Sequence, residues 1–251
     1  MEELLKALWL RSLELNVDHV ERGALCGLSS GYLSMYRLGL LFPWTLDGVT
    51  DLVPVHGRIK AIGWRLEMLS RDADVPVSER VEHAADLLGS YVMGTDSELV
   101  ARGLEVAWEL LHGRGEERMT LPCRTSGMCR LLSHCHYFTG DGACLELAGG
   151  LVMEVVGRSG SLDGWELLEW REALRLYADV SDGERGPKVE RERLEEELRR
   201  LAVRARRVED GLVDSMKRGK GADDVVAFSR VFSAVARRVL DDCVAAEGKK
   251  I

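Results

Sequence analysis

The sequence predicts an all-α, mainly helical fold: a multi-helix body over residues 1–181 and a long antiparallel helical hairpin over 188–247. Three observations carry this. Apolar residues recur at three- and four-residue intervals along most of the chain, the spacing that lines one face of an α-helix. Capping and stop signals fall between these periodic runs. Beyond Pro187, Leu194, Leu198, Leu201, Ala205, Val208 and Leu212 step by 4, 3, 4, 3 and 4, the heptad seam of helices packed along their length.

The elements follow in order. Leu4, Leu5, Leu8 and Leu15, broadened by Trp9 and Leu13, predict a helix over 3–15. Asp18 followed by Glu21 predicts the start of a second, running to the break at Pro43. Gly23, Gly27 and Gly31 recur there every four residues. Such a stripe lets another helix approach closely, although each glycine costs about 1 kcal/mol of helix stability relative to Ala. Ile59, Ile62, Leu66 and Leu69 form one face of a third helix. Ser78 opens a fourth, with Val81, Ala84, Ala85, Leu87 and Leu88 inward and Gly94 as its stop. Thr95 and Glu98 make a capping box, in which each side chain satisfies the other residue's free backbone N–H. The helix they open ends at Gly113 and Gly115.

Residues 113–125 read as a loop and 126–138 as a helix with Met128, Leu131, Leu132 and Cys135 on one face. "CLELAGGLVMEVVG" suits a buried helix or a strand, and Ser161 starts a further helix. "SDGERGP" is a polar connector and the best domain boundary in the chain. The hairpin's first helix, over 188–217, would be about 45 Å long. "KRGKGA" is its turn, and Val225, Phe228, Phe232, Val235 and Val239 continue the seam on its second helix.

Composition bounds the function. With 46% hydrophobic and 30% charged residues in 251, the chain has ample material for a core. A net charge of −8 argues against non-specific nucleic-acid or anionic-membrane binding, both of which need a cationic surface. The opening residues lack a cationic stretch followed by an apolar one, and no run is long enough to span a bilayer, so a cytoplasmic location is expected. Gln is absent, Asn16 is the single Asn, and Arg far outnumbers Lys. Loss of heat-labile amides with dense Arg and Glu is the thermophile pattern. Intracellular disulfides are real in hyperthermophiles, so six cysteines do not exclude bridges here.

The chemistry concentrates in "CRTSGMCRLLSHCHYFTGDGAC", residues 123–144. Cys123, Cys129, Cys135 and Cys144 are the candidate ligands for an iron–sulfur cluster or zinc. The intervals of 6, 6 and 9 residues contain no close Cys pair of the kind a zinc knuckle uses to aim two sulfurs at one ion. Clusters tolerate wider spacing. A regular helix over 126–138 would bury Cys135 and hold Cys129 and His136 about 10 Å apart along the axis, too far for one ion. Convergence of the four sulfurs therefore requires a broken helix. Ordinary buried thiols and disulfides remain the alternatives, with Cys123 and Cys144 the pair best placed for a bridge.

His56, His83, Asp86 and His112 form a looser metal or catalytic set, since bundles build such sites from inward His and carboxylates. No dinucleotide, phosphate-loop or nucleophile-elbow motif occurs. Trp165 and Trp170 sit among acids and read as core or interface. Three function classes follow: a metal- or cluster-binding helical protein in a structural or electron-transfer role, a helical interaction module with structural cysteines, and a metal-dependent enzyme using the His/Asp set. A protein partner or a second copy is expected to dock through the hairpin.

Overall fold

The computed structural model describes residues 1–43, 52–90, 97–112, 119–181, 188–218 and 224–247. Among these the fold is all-α: α1 (Glu2–Glu14), α2 (Arg22–Leu41), α3 (Leu52–Arg71), α4 (Val77–Gly89), α5 (Ser97–His112), α6 (Ser126–Thr139), α7 (Gly142–Arg158), α8 (Gly164–Ser181), α9 (Lys188–Lys217) and α10 (Val225–Glu247), with two short 3-10 turns and no strand. Gly94, Thr95, Gly113, Gly115, the 182–187 connector and residues 219–222 of the "KRGKGA" turn lie outside the described residues.

The helix expected from Asp18 begins later. Asn16 Oδ1 accepts the Asp18 N–H at 3.1 Å, closing a separate 3-10 turn, Val17–His19, before α2 starts at Arg22. The ambiguous 144–157 stretch is helix α7. Asp141 caps it by accepting the Ala143 N–H at 2.9 Å, which satisfies a donor the helix leaves orphaned.

The described residues divide into two compact units. One comprises Met1–Leu66, Ser90–Asp96 and Glu209–Ile251; the other comprises Glu67–Gly89 and Ser97–Val208.

In the first unit α10 packs along α2, and α1 packs on α10. The glycine stripe makes the approach possible. A Cβ on Gly23 would lie 3.5 Å from Val226, on Gly27 2.6 Å from Ser229 Oγ, and on Gly31 2.5 Å from the Phe232 ring. An aromatic chain fills the interior: Trp9 meets Tyr32 edge-on at 5.8 Å, Tyr32 meets Phe232 at 5.5 Å, and Phe232 stacks on Phe228 at 6.2 Å. Such pairs add about 0.5–1.5 kcal/mol beyond their buried area. Tyr32 is fully buried and donates its O–H to the Ser12 carbonyl at 2.9 Å. Arg58 of α3 donates to the Leu13 and Leu15 carbonyls, capping acceptors at the end of α1 that no helical N–H reaches. On α10, Arg238 pairs with Asp210 of α9.

The second unit is organised around α6, which packs on α4, α7 and α8. Met128, Leu131, Leu132 and Cys135 are fully buried, as their spacing predicts. Arg71, at the end of α3, reaches Glu67 at 3.0 Å, Glu105 at 3.1 Å and Glu109 at 2.7 Å. Leu194, Leu201 and Ala205 of α9 are buried here, and Leu198 is half-buried. Arg204 donates to the Ser159 carbonyl at 2.6 Å and to that of Leu162. No helix among the described residues is long and apolar enough to cross a membrane.

Candidate functional site

The cysteine-rich segment enters α6 through Thr125, whose Oγ1 accepts the Met128 N–H at 3.3 Å. It leaves through Gly140, at φ 71°, whose N–H bonds the His136 carbonyl at 2.7 Å. Only a residue at ease in the left-handed region ends a helix this way without strain. His136 Nδ1 donates to the Asp141 carbonyl at 3.0 Å. A carbonyl can only accept, so the proton sits on Nδ1.

Helix α6 runs unbroken from Ser126 to Thr139. Cys129 and Cys135 are therefore about 9 Å apart along its axis and on different sides of it. Metal–sulfur bonds of roughly 2.3 Å cannot span that separation, so the helix does not bring Cys123, Cys129, Cys135 and Cys144 onto one ion. Among the described residues no group of three or more His, Cys, Asp or Glu is placed to hold a metal. All six cysteines are free thiols.

Each thiol has its own surroundings. Cys129 is fully buried, and burial pushes its pKa up to about 12. Cys123 is half-buried 3.5 Å from Thr125 Oγ1, and its thiol too is raised by burial. Cys123 and Cys144, the pair that flanking position suggested for a bridge, are both free thiols. Cys135 and Cys144 perturb each other, the pairing holding the Cys135 thiol up and the Cys144 thiol down, with burial adding to the rise at Cys135. Cys144 Sγ also lies 3.9 Å from Met119 Sδ.

The histidine set is divided between the two units. His56 belongs to the first unit, whereas His83, Asp86 and His112 belong to the second. Asp86 is taken by Arg130, and His112 Nδ1 lies 3.3 Å from the Trp108 carbonyl.

A polar cluster not anticipated from the sequence occupies the α4–α6–α8 junction. Arg130 bonds Glu82 at 2.6 Å and also binds Asp86. The other Glu82 oxygen accepts the Gly127 N–H at 2.9 Å, where the positive end of α6 favours a carboxylate. Ser126 Oγ donates to Glu169 at 3.4 Å and Trp165 donates to it as well. Burial, reinforced by the Glu82 charge, raises the Glu169 carboxyl above its ordinary range. The available signal was Glu82 and Asp86, four apart on an otherwise apolar helix face. The cluster ties together three helices.

Compared with protein-family models, curated proteins and solved structures, the chain matches none.

Proposed function

We propose that this protein is a helical interaction module that pairs with a second copy of itself through the outward face of α9. The observation that carries the reading is the charge order over residues 195–207 of that helix: Glu195, Glu196 and Glu197 come first, then Arg199, Arg200, Arg204, Arg206 and Arg207, with no acid between 198 and 208, while Arg191 and Arg193 precede this stretch and Glu209 and Asp210 follow it. Glu192, Glu195, Arg199, Ala202, Val203 and Arg206 form an exposed stripe at helical spacing, and Val203, near its C-terminal end, is 60% exposed. Two such stripes laid antiparallel with Glu192 opposite the second copy's Arg206 bring unlike charges together at both ends of the contact, with Arg199 at the two-fold axis, and unlike charges at matching ends give a two-fold interface its self-complementarity.

The four-thiol cluster reading lacks this support, because it needs a break in α6. The metal-dependent enzyme reading needs His56, His83, Asp86 and His112 in one place.

Light scattering after size exclusion tests the proposal. Full-length protein is expected to elute at twice the mass of one chain, dissociating as salt rises, since exposed pairs are screened. Arg206→Glu should give the monomer, and adding Glu192→Arg should restore the dimer. A wild-type chain that stays monomeric at its highest soluble concentration would overturn the reading, as would a dimer indifferent to both substitutions.

A further inference from the structure

We infer that the arginine-rich stretch 199–207 of α9 is a docking surface for double-stranded DNA, held through its phosphate backbone. The binding stands apart from self-association through α9. Its competition with a second copy, which needs the same Arg206, rests on that reading.

Five arginines fall within these nine residues, and no acid interrupts them. Arg199, Arg200, Arg206 and Arg207 are exposed, whereas Arg204 turns in to the Ser159 and Leu162 carbonyls. Helical geometry sets the exposed four in two rows. Arg199 and Arg206 lie on one and Arg200 and Arg207 about a quarter turn round, each pair roughly 10 Å apart along the axis. Ala202 and Val203 stand between the pairs, exposed and small, so nothing bulky or acidic holds a duplex away. Glu196 pairs with both Arg199 and Arg200, yet the two arginine side chains stay 70% and 67% exposed. Pairs this open are worth about 0–1 kcal/mol, and a phosphate competes for both guanidinium forks with bidentate geometry of its own.

The surface selects duplex DNA among polyanions. The wide major groove of B-form DNA admits an α-helix, whereas the deep, narrow one of A-form RNA does not. Single strands are held by bases stacked on aromatic rings, and α9 carries no aromatic residue. An anionic membrane takes in large apolar side chains, and the apolar residues exposed within 199–207 are Ala202 and Val203. The net charge of −8 does not decide at this range, because salt screens exposed charges beyond about 8 Å. Local acids set the limits instead. Glu195, Glu196 and Glu197 on one side and Glu209 and Asp210 on the other confine the contact to roughly 12 Å of helix, one phosphate for each exposed arginine.

The test titrates full-length protein into a short, fluorescently labelled B-form duplex of mixed sequence and reads anisotropy across a salt series. Four phosphate contacts predict a slope of about −3.6 for log affinity against log salt, a loss of roughly 150-fold between 50 and 200 mM. Arg200→Gln and Arg207→Gln should each reduce that slope by about 1. Neither residue lies on the self-association stripe, so these variants read DNA binding alone. Arg22→Gln, exposed at the start of α2, should leave affinity and slope unchanged. Circular dichroism reads the fold of each variant. In a chain whose dimer depends on Arg206, saturating duplex should release the second copy. The surface is overturned if the duplex fails to bind at the lower salt, if affinity does not fall with salt, or if Arg22→Gln weakens binding as much as Arg207→Gln. It is also overturned if that dimer persists on saturating duplex, or if double-stranded RNA or phosphatidylserine vesicles displace the label at lower phosphate concentration than unlabelled DNA does.

Discussion

Gly31 lies directly under the Phe232 ring, so that a single methyl group on the glycine would stand 2.5 Å from two ring carbons. Phe232 is fully buried between Tyr32 and Phe228 and has nowhere to retreat without moving α10. Gly31→Ala gains helix propensity of about 1 kcal/mol, yet overpacking costs about 1–3 kcal/mol or more at a site this rigid. The net expectation is a loss of about 1–2 kcal/mol in chemical denaturation. Combining it with Phe232→Leu should cost less than the two single losses added. Additive losses would mean the two residues do not share the space.

Arg130 holds Glu82 and Asp86 at a site where its own side chain is 19% exposed and that of Asp86 is 8% exposed. Removing one member of a buried pair strands the other, at about 3–5 kcal/mol. Arg130→Met should therefore destabilise by about 3 kcal/mol, with little response to salt. Adding Asp86→Asn should return part of the loss. A cost below about 1 kcal/mol would place the cluster in the surface class.

Glu169 carries a raised carboxyl, so the folded state binds its proton more readily than the unfolded state does. The sign follows: below the unfolded pKa both states are protonated and no penalty exists, and the penalty is complete once pH passes the folded value. Glu169→Gln, which stays neutral, should stabilise at pH 7. That gain should vanish on acidification below the ordinary carboxylate range. Thermal melts of both proteins across pH check it; a pH-independent difference would defeat it.

Cys129, with its thiol pushed up to about 12, is expected to resist alkylation at pH 8 in the folded protein. The thiolate is the nucleophile, and the fraction present there is on the order of one in ten thousand. Half-buried Cys26, Cys123 and Cys243 should label first, as read by mass spectrometry. Labelling of Cys129 at a rate comparable with Cys123 would contradict its enclosure.

Much of the fold was legible where local rules decide it. The 126–138 periodicity gave α6 and its buried face within a residue, and the heptad steps after Pro187 gave α9, because helix start, stop and face depend on near neighbours. The stripe of Gly23, Gly27 and Gly31 announced a close approach but not its occupant. Nothing within several residues of Gly31 specifies Phe232, which arrives from the far side of the chain. The thiols divided in the same way. Burial of Cys135 was readable from its helix face. The mutual perturbation of its thiol and that of Cys144 was not, since Cys144 follows a turn in which Gly140 takes a left-handed conformation. The Glu82–Arg130–Asp86 cluster stayed hidden because two acids on a helix read equally well as solvated.

The pairing of α2 with α10 also sets an order of events during synthesis. All of the second unit is translated between them. At the usual rates of chain elongation, α10 follows α2 by roughly 10 to 40 s. For that interval the glycine stripe and the Tyr32 ring have no permanent cover, while the second unit, closed by contacts nearer in sequence, is free to fold. The helix that completes the first unit is thus made only after the whole of the second unit has been translated.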